Sequence, residues 1–341
     1  MMESKQTMPA TVSIIIPCYN EQATIGLLLD ALTAQTYPRT GMEVVIADGG
    51  STDGTVEAIY FWQRSHHDLA IKVVENPKLT IPSALNTAIK ASTNEVIVRL
   101  DAHSKPHQAY VSRAVKALAE GRGQNVGGVW DIRPGGEGWI ARSIAAAAGH
   151  PIGAGGARYR YTDQAGYVDT VPFGAFYRSL LDQIGMFDET LLTNEDYEFN
   201  VRVRQMGGRI WLDPEIRSEY YARKDLKALS RQYWRYGYWK REMLRRYPGT
   251  IRMRQALPPF FILALFLLIL LTPFLKLAGW FLAAVMGVYM FVLLLAGVQL
   301  GIMHRSFALL LGVPLAIATM HFTWGAGFLW GILHPPKSKT G

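Results

Sequence analysis

The sequence predicts an α/β chain: a doubly wound sheet domain over residues 10–222, a basic interfacial helical segment over 223–254, and a membrane domain over 255–336 with about three transmembrane helices. Three observations carry that reading. Short β-branched runs alternate with segments of helical period through the first hundred residues, the pattern of a parallel sheet covered on both faces. Charge is unevenly spread: residues 1–222 hold 20 basic and 25 acidic side chains, whereas residues 223–254 hold 11 and 2. Beyond them, Gln255–Leu275, Leu277–His304 and Ser306–Pro336 contain no Lys, Arg, Asp or Glu.

Val12–Ile16 is an apolar strand closing in Pro17-Cys18-Tyr19-Asn20-Glu21, after which Ile25, Leu28, Leu29 and Leu32 recur at helical spacing. Val44–Ala47 is the second strand, closing in Asp48-Gly49-Gly50-Ser51-Thr52-Asp53-Gly54-Thr55. A helix with Val56, Ile59 and Tyr60 leads to strand Ile71–Val74. Another, with Ala84, Leu85, Ala88 and Ile89, leads to the central strand, where only Arg99 interrupts Val96, Ile97, Val98 and Leu100. That strand ends in Asp101-Ala102-His103. Open α/β sheets bind ligands at the carboxyl ends of their strands. Tyr19 and Glu21, Asp48, Ser51 and Asp53, and Asp101 and His103 therefore share one rim. In extended chain, Asp101 and His103 point to one side and offer a carboxylate and an imidazole to one ion. Such a pair suits Mn²⁺, or Mg²⁺ completed by phosphates and water. The same residues also suit a polar strand end whose Asp101 caps a helix starting near Pro106.

Other residues read more plainly. Asp53 caps the helix at Gly54, Cys18 is a small buried hydrophobe, His66 and His67 are solvated at a helix end, and Gly149–Gly156 is a flexible loop. No G-x-G-x-x-G follows the first strand and no G-x-x-x-x-G-K-[ST] occurs, which argues against dinucleotides and the P-loop. One cysteine excludes an intrachain disulfide and a cysteine zinc cluster. The acidic sheet domain disfavours nucleic acid as a partner. Met1–Ala10 is polar, so no signal peptide is expected. What remains is a nucleotide whose phosphates are neutralised by a metal at Asp101 and His103.

Three uncharged segments of roughly 20 residues or more suit membrane helices better than buried helices of a soluble core. Pro258 and Pro259 are expected in the first turn of the first span, with Trp280, Trp324 and Trp330 near the interfaces. The basic stretch ahead of them assigns the sheet domain to the cytoplasmic side of the cytoplasmic (inner) membrane. Three spans leave Lys337 and Lys339 outside, so the last segment is alternatively re-entrant. Within 223–250, Leu226, Leu229, Tyr233, Tyr236 and Trp239 share a helical sector. Lys227, Arg231, Lys240, Arg241, Arg245 and Arg246 lie largely elsewhere, as on an interfacial helix.

Taken together, Ser13–Glu21 with its Pro-x-Tyr-Asn-Glu ending, Asp48–Thr55 and the acidic strand end at Asp101 resemble family 2 glycosyltransferases of the GT-A fold. The likeness is strongest to the succinoglycan-type glucosyltransferases and covers residues 10–250. Asp101-Ala-His103, Val168-Asp-Thr-Val171, Asn194-Glu-Asp196 and Gln232-Tyr-Trp-Arg-Tyr236 extend it. Two motifs depart from the family: the usual D-x-D is Asp-Ala-His, and the Q-x-x-R-W of processive synthases ends in Tyr236.

The resemblance implies an inverting, metal-dependent hexosyltransferase of exopolysaccharide synthesis. Its donor is a UDP-sugar, UDP-glucose being favoured, and its acceptor a polyprenyl-diphosphate-linked saccharide. A polyprenyl-phosphate sugar synthase and a catalytically inactive membrane sugar-nucleotide sensor are the alternatives. By the same resemblance Asp196 is the base, with Glu195 beside it. Pro17, Tyr19 and Glu21 line the base and ribose, Asp48 contacts the uracil or ribose, and Asn86 lies near the sugar diphosphate. Asp101 and His103 hold Mn²⁺ or Mg²⁺, and Gln232 and Arg235 face the donor diphosphate and the acceptor.

Overall fold

The computed structural model describes residues 10–250 and 253–335. Strand β1 (Val12–Cys18) leads to α1 (Ile25–Thr33), followed by β2 (Met42–Asp48), α2 (Thr55–Gln63), β3 (Ala70–Glu75), α3 (Ile81–Ala91) and β4 (Val96–Arg99). The strand bounds fall within about two residues of those the apolar runs predict, as frayed element ends do. Strand β1 sits between β2 and β4, parallel to both, with Ile14 opposite Val44 and Val98. Its Val12, Ile14, Ile15 and Ile16 are fully buried. Each such side chain contributes about 1.5–3 kcal/mol.

The chain continues through β5 (Lys105–Pro106), α4 (Tyr110–Ala119), β6 (Asn125–Arg133), α5 (Trp139–Ala148), α6 (Pro151–Ala154), β7 (Gly166–Val168) and β8 (Ala175–Tyr177). Then come α7 (Leu180–Ile184), α8 (Glu195–Gln205) and β9 (Ile210–Tyr221). The strand order is β3-β2-β1-β4-β8-β6-β9-β5, with β7 on β9. Strand β8 runs antiparallel to β4, so that Val98 faces Ala175. The sheet is therefore mixed, where the sequence predicted parallel pairing. Strands of two or three residues, such as β5, β7 and β8, are too short to show a period.

Order decides where a ligand can sit. From β1 the chain steps outward to β2 and β3, then returns past β1 to β4. The reversal separates the connections that follow β1 and β4 and opens a crevice at their carboxyl ends.

Helices α9 (Leu226–Arg246), α10 (Met253–Leu271), α11 (Lys276–Met303) and α12 (Ala308–Leu333) complete the described chain. Helices α11 and α12, of 28 and 26 residues, are long and apolar enough to cross a membrane, whereas Gln255–Leu271 is a shorter apolar helix. Two such helices thus stand where three spans were expected. The first segment stops at Leu271 because Thr272 precedes Pro273, and a residue before proline is driven out of the helical region. Pro258 and Pro259 lie inside α10, which starts earlier than expected, at Met253. Pro336, Lys337 and Lys339 lie outside the described residues.

The chain divides into two compact units, Met1–Trp130 with Thr162–Glu219, and Asp131–Tyr161 with Tyr220–Gly341. The second unit thus takes α5 and α6 from within the stretch assigned to the sheet domain. In it, α12 packs against α5, α9, α10 and α11. Helices α9 and α12 meet backbone to backbone: a Cβ at Gly237 would overlap the carbonyl oxygen of Trp324, and one at Gly327 that of Trp234. The buried residues of α9 are Leu229, Gln232, Gly237, Lys240, Glu242 and Met243. Lys240 is consequently buried rather than solvated, since its helical phase follows that of Leu229 and Gln232. Gly149–Gly156, expected to be a flexible loop, instead forms the turn into α6. The His150 side chain caps it, accepting the Ile152 N–H at 3.3 Å.

Candidate active site

The loops after β1 and β2 are laced together by hydrogen bonds. Asn20, in the left-handed region at φ 54°, donates its N–H to Ser51 Oγ at 2.8 Å, and its Oδ1 accepts the Thr52 N–H at 2.9 Å. The Glu21 N–H donates to Thr55 Oγ1 at 2.8 Å and the Gln22 N–H to Asp53 Oδ2 at 3.1 Å. Asp48 folds the second loop around itself, its Oδ2 accepting the N–H groups of Gly50 and Ser51 at 2.9 Å each and its Oδ1 the Ser51 hydroxyl at 2.6 Å.

Pro17 continues β1, and Tyr19 stands exposed beside Gly49. Asp53 accepts the Thr55 N–H at 3.0 Å, the helix-start role the sequence gives it. Burial, reinforced by Asp48 and Glu21, pushes the Cys18 thiol up to about 12, so it is an inert hydrophobe. His66 is not simply solvated: it stacks on Trp62 with centroids 3.9 Å apart. Asn86 is a buried clasp between α3 and the segment before α8. Its Nδ2 donates to Phe187 O and Glu189 Oε1, and its Oδ1 accepts the Phe187 N–H, all at 2.9 Å.

Arg99 organises the other side of the crevice. A charge in an otherwise apolar, fully covered strand must find partners in the interior, and Arg99 finds three. Its Nη1 donates to Asp196 Oδ1, and its Nη2 to Asp101 Oδ1 at 3.2 Å and Glu195 Oε1 at 3.0 Å. Burial alone would disfavour the charge, but the Asp101 and Glu195 carboxylates overcome it and raise the Arg99 pKa. Glu195 and Asp196 stand in the first turn of α8, where the helix dipole favours carboxylates. Asn194, at φ 69°, turns the chain into that helix. The residues were legible in the sequence, but their common cation was not.

Strand β4 stops at Arg99, and Asp101–Ser104 is a turn closed by the Ser104 N–H on Asp101 O at 2.9 Å. Strand alternation therefore does not govern Asp101 and His103, contrary to the expectation of extended chain. Nor does Asp101 cap a helix: α4 starts at Tyr110, and the Asp101 carboxylate faces Arg99. His103 Nδ1 lies 2.9 Å from Glu21 Oε1, joining the turn after β4 to the loop after β1. Among the described residues no three His, Cys, Asp or Glu side chains converge as a metal cage. Asp101 and His103 remain partly open to solvent, with side chains 23% and 47% exposed, and a carboxylate with an imidazole is a donor set that a divalent ion completed by phosphate oxygens and water would accept.

Gln232 and Arg235 belong to the second unit. Gln232 is buried and donates to Tyr236 OH at 2.9 Å and Tyr220 OH at 3.2 Å, while Arg235 is exposed. Beside Gln232 lies Arg160, which the sequence reading passed over. It donates to Tyr233 OH at 3.3 Å. Burial disfavours its charge, but the oxygens of Tyr159, Tyr233 and Tyr220 prevail and raise its pKa. At the end of α9, Glu242 holds Arg245 at 2.7 Å and Arg246 at 3.0 Å.

Comparison with known proteins follows the same lines. The model of the family "Glycosyl transferase family 2" matches residues 13–185. The chain is similar to the succinoglycan biosynthesis protein ExoA of Rhizobium meliloti (strain 1021), with 30% identity over 336 residues and 96% of each chain covered. It is also similar to a dolichyl N-acetyl-alpha-D-glucosaminyl phosphate 3-beta-D-2,3-diacetamido-2,3-dideoxy-beta-D-glucuronosyltransferase of Methanococcus voltae, 27% identical with 94% of this chain and 97% of that one covered. Among solved structures, the mannosyltransferase PcManGT from Pyrobaculum calidifontis, in complex with GDP-Man and Mn²⁺, matches with a TM-score of 0.60. The identity is 22% and the cover 95% of this chain and 88% of that one, so the likeness establishes a shared fold. Sequence and fold converge: the chain is a glycosyltransferase and belongs to glycosyl transferase family 2.

Proposed function

We propose that the chain is an inverting, divalent-metal-dependent hexosyltransferase of the cytoplasmic (inner) membrane. It moves a hexose from a UDP-sugar, UDP-glucose being favoured, to a polyprenyl-diphosphate-linked saccharide in exopolysaccharide synthesis. The observation that carries this reading is the meeting of Asp101 and Asp196 on one buried guanidinium, beside two interlaced loops suited to a nucleotide. Three carboxylates around one arginine leave the cluster in excess negative charge, which favours a cation next to it.

In this reading Pro17, Tyr19, Glu21 and Asp48 line the nucleotide and Asn86 supports the diphosphate side. The acceptor oxygen attacks C1 while its proton passes to Asp196. The bond from C1 to the diphosphate oxygen breaks with its electron pair on the diphosphate, through an oxocarbenium-like state, and the anomeric centre inverts. Asp196 suits the base better than Glu195, its side chain being 25% exposed against 11%, because a base must reach the hydroxyl. A divalent ion held by Asp101 and His103 would neutralise the charge developing on the leaving group.

A basic α9 followed by long apolar helices supports an acceptor with its tail in the bilayer and an anionic diphosphate at the surface. The same charge asymmetry supports a cytoplasmic sheet domain and a multi-pass anchor. The Methanococcus voltae relative, which by its name acts on a dolichyl-linked sugar phosphate, supports a lipid-linked acceptor too.

The test uses the full-length protein in nanodiscs with Mn²⁺, UDP- and GDP-hexoses, the lipid-linked saccharide and a short-chain soluble analogue. The expected result is UDP release coupled to transfer, faster on the lipid-linked acceptor. Equal rates on both acceptors would remove the lipid from the reading, and turnover of GDP-hexoses alone would replace the donor.

A further inference from the structure

We propose that Arg99 is the positioning residue of this reaction, a rigid spacer that sets Asp196 on the acceptor side against Asp101 on the donor side. The inference rests on the reading of those two carboxylates given above. Arg99 is itself held from both flanks. Its backbone N–H donates to Gly174 O at 3.0 Å, and the next N–H, of Leu100, donates to Ile15 O at 3.1 Å, so the end of β4 cannot drift. The side chain is fully buried, with the Phe173 ring centroid 5.9 Å from its Cζ.

All of the guanidinium's side-chain bonding is directed at the cluster. Nη1 serves Asp196, Nη2 is shared by Asp101 and Glu195, and Nε has no partner among the described residues. The separation between a turn carboxylate and a helix carboxylate, 95 positions apart in sequence, is thus set by one planar group of fixed covalent geometry. Among the described residues, neither the Asp101 nor the Asp196 side chain has another hydrogen-bond partner. Stability does not account for the arginine: a buried ion cluster is often no better than well-packed apolar residues of like volume, and Arg99 interrupts a run of Val and Ile. Placement does account for it, because a displacement of about 1 Å in a reacting group can cost 10²-fold in rate.

The test compares wild type, Arg99→Lys, Asp196→Asn and the double variant, as full-length protein in nanodiscs. The readouts are the melting temperature, affinity for UDP with Mn²⁺, and kcat with whichever UDP- or GDP-hexose the wild type turns over fastest. Lysine keeps the charge but offers one point in place of a fork. Arg99→Lys is expected to melt within a few degrees of wild type, to bind Mn²⁺–UDP within a few-fold, and to lose about 10²-fold in kcat. In the Asp196→Asn background the same change should cost nothing further, because the group it positions is already disabled. An equal loss in both backgrounds, or unchanged kcat in Arg99→Lys while Asp196→Asn is inactive, overturns the spacer and leaves the functional reading standing. Full activity of Asp196→Asn overturns both. If Arg99→Lys does not fold, Arg99→Gln, which also keeps a planar donor group, is put through the same cycle.

Discussion

Nδ1 of His103 and Oε1 of Glu21 stand 2.9 Å apart, tying the turn after β4 to the loop after β1. A carboxylate on one imidazole nitrogen fixes the ring and makes the other nitrogen the one a metal would meet. On the function proposed above, Glu21 would then act on a bound metal through His103 as well as lining the nucleotide. Glu21→Gln and His103→Ala should each weaken Mn²⁺ binding by about 10–100-fold, and Asp101→Ala should abolish transfer. Mn²⁺ titration followed by electron paramagnetic resonance reads the first effect without turnover. Wild-type affinity in both variants would remove His103 from the metal site.

Asp196→Asn keeps shape while removing proton acceptance. Turnover should fall by about 10²–10⁴ while calorimetric affinity for UDP with Mn²⁺ holds. Glu195→Gln, at the less exposed position, should lose less. A collapse of nucleotide affinity together with rate would make Asp196 structural.

Glu242 has its pKa held below the usual carboxylate range by its bond to Arg245, then by Arg246. A depressed folded-state value means stabilisation that is present above the unfolded value, about 4.3, and lost as pH falls through the lower folded value. The first partner, Arg245, is largely solvated, so the term is under about 1 kcal/mol. Melting temperatures of wild type and Glu242→Gln should differ above about pH 5 and converge in acid. A gap that widens in acid would contradict the assignment.

Gly237→Ala should be among the most disruptive single methyl additions in the second unit, because its Cβ would overlap the Trp324 carbonyl. Overpacking of this kind costs about 1–3 kcal/mol. Gly249→Ala, with open space around it, is the control. Similar melting temperatures for the two variants would mean that α9 and α12 do not pack through this glycine.

The order of β1 to β4 and α1 to α3, and the small polar residues that end each strand, were legible from the chain. Apolar period and turn chemistry are local properties that report directly which face is buried. Hence Glu21, Asp48 and Asp101 were placed on one rim with no knowledge of their neighbours, whereas Asp196 was named only through the family resemblance. The sequence also showed Arg99 as the one interruption of an apolar strand. It could not name the partners, because residues 99 and 196 meet only through the order of strands and the placement of α8. Tertiary structure alone decided that β8 is antiparallel, that Asp101–Ser104 is a turn, that Lys240 faces inward, and that Asp131–Tyr161 packs with the C-terminal helices. Each of these depends on contacts between segments distant in the chain, and a local period carries no information about which distant segment covers a face.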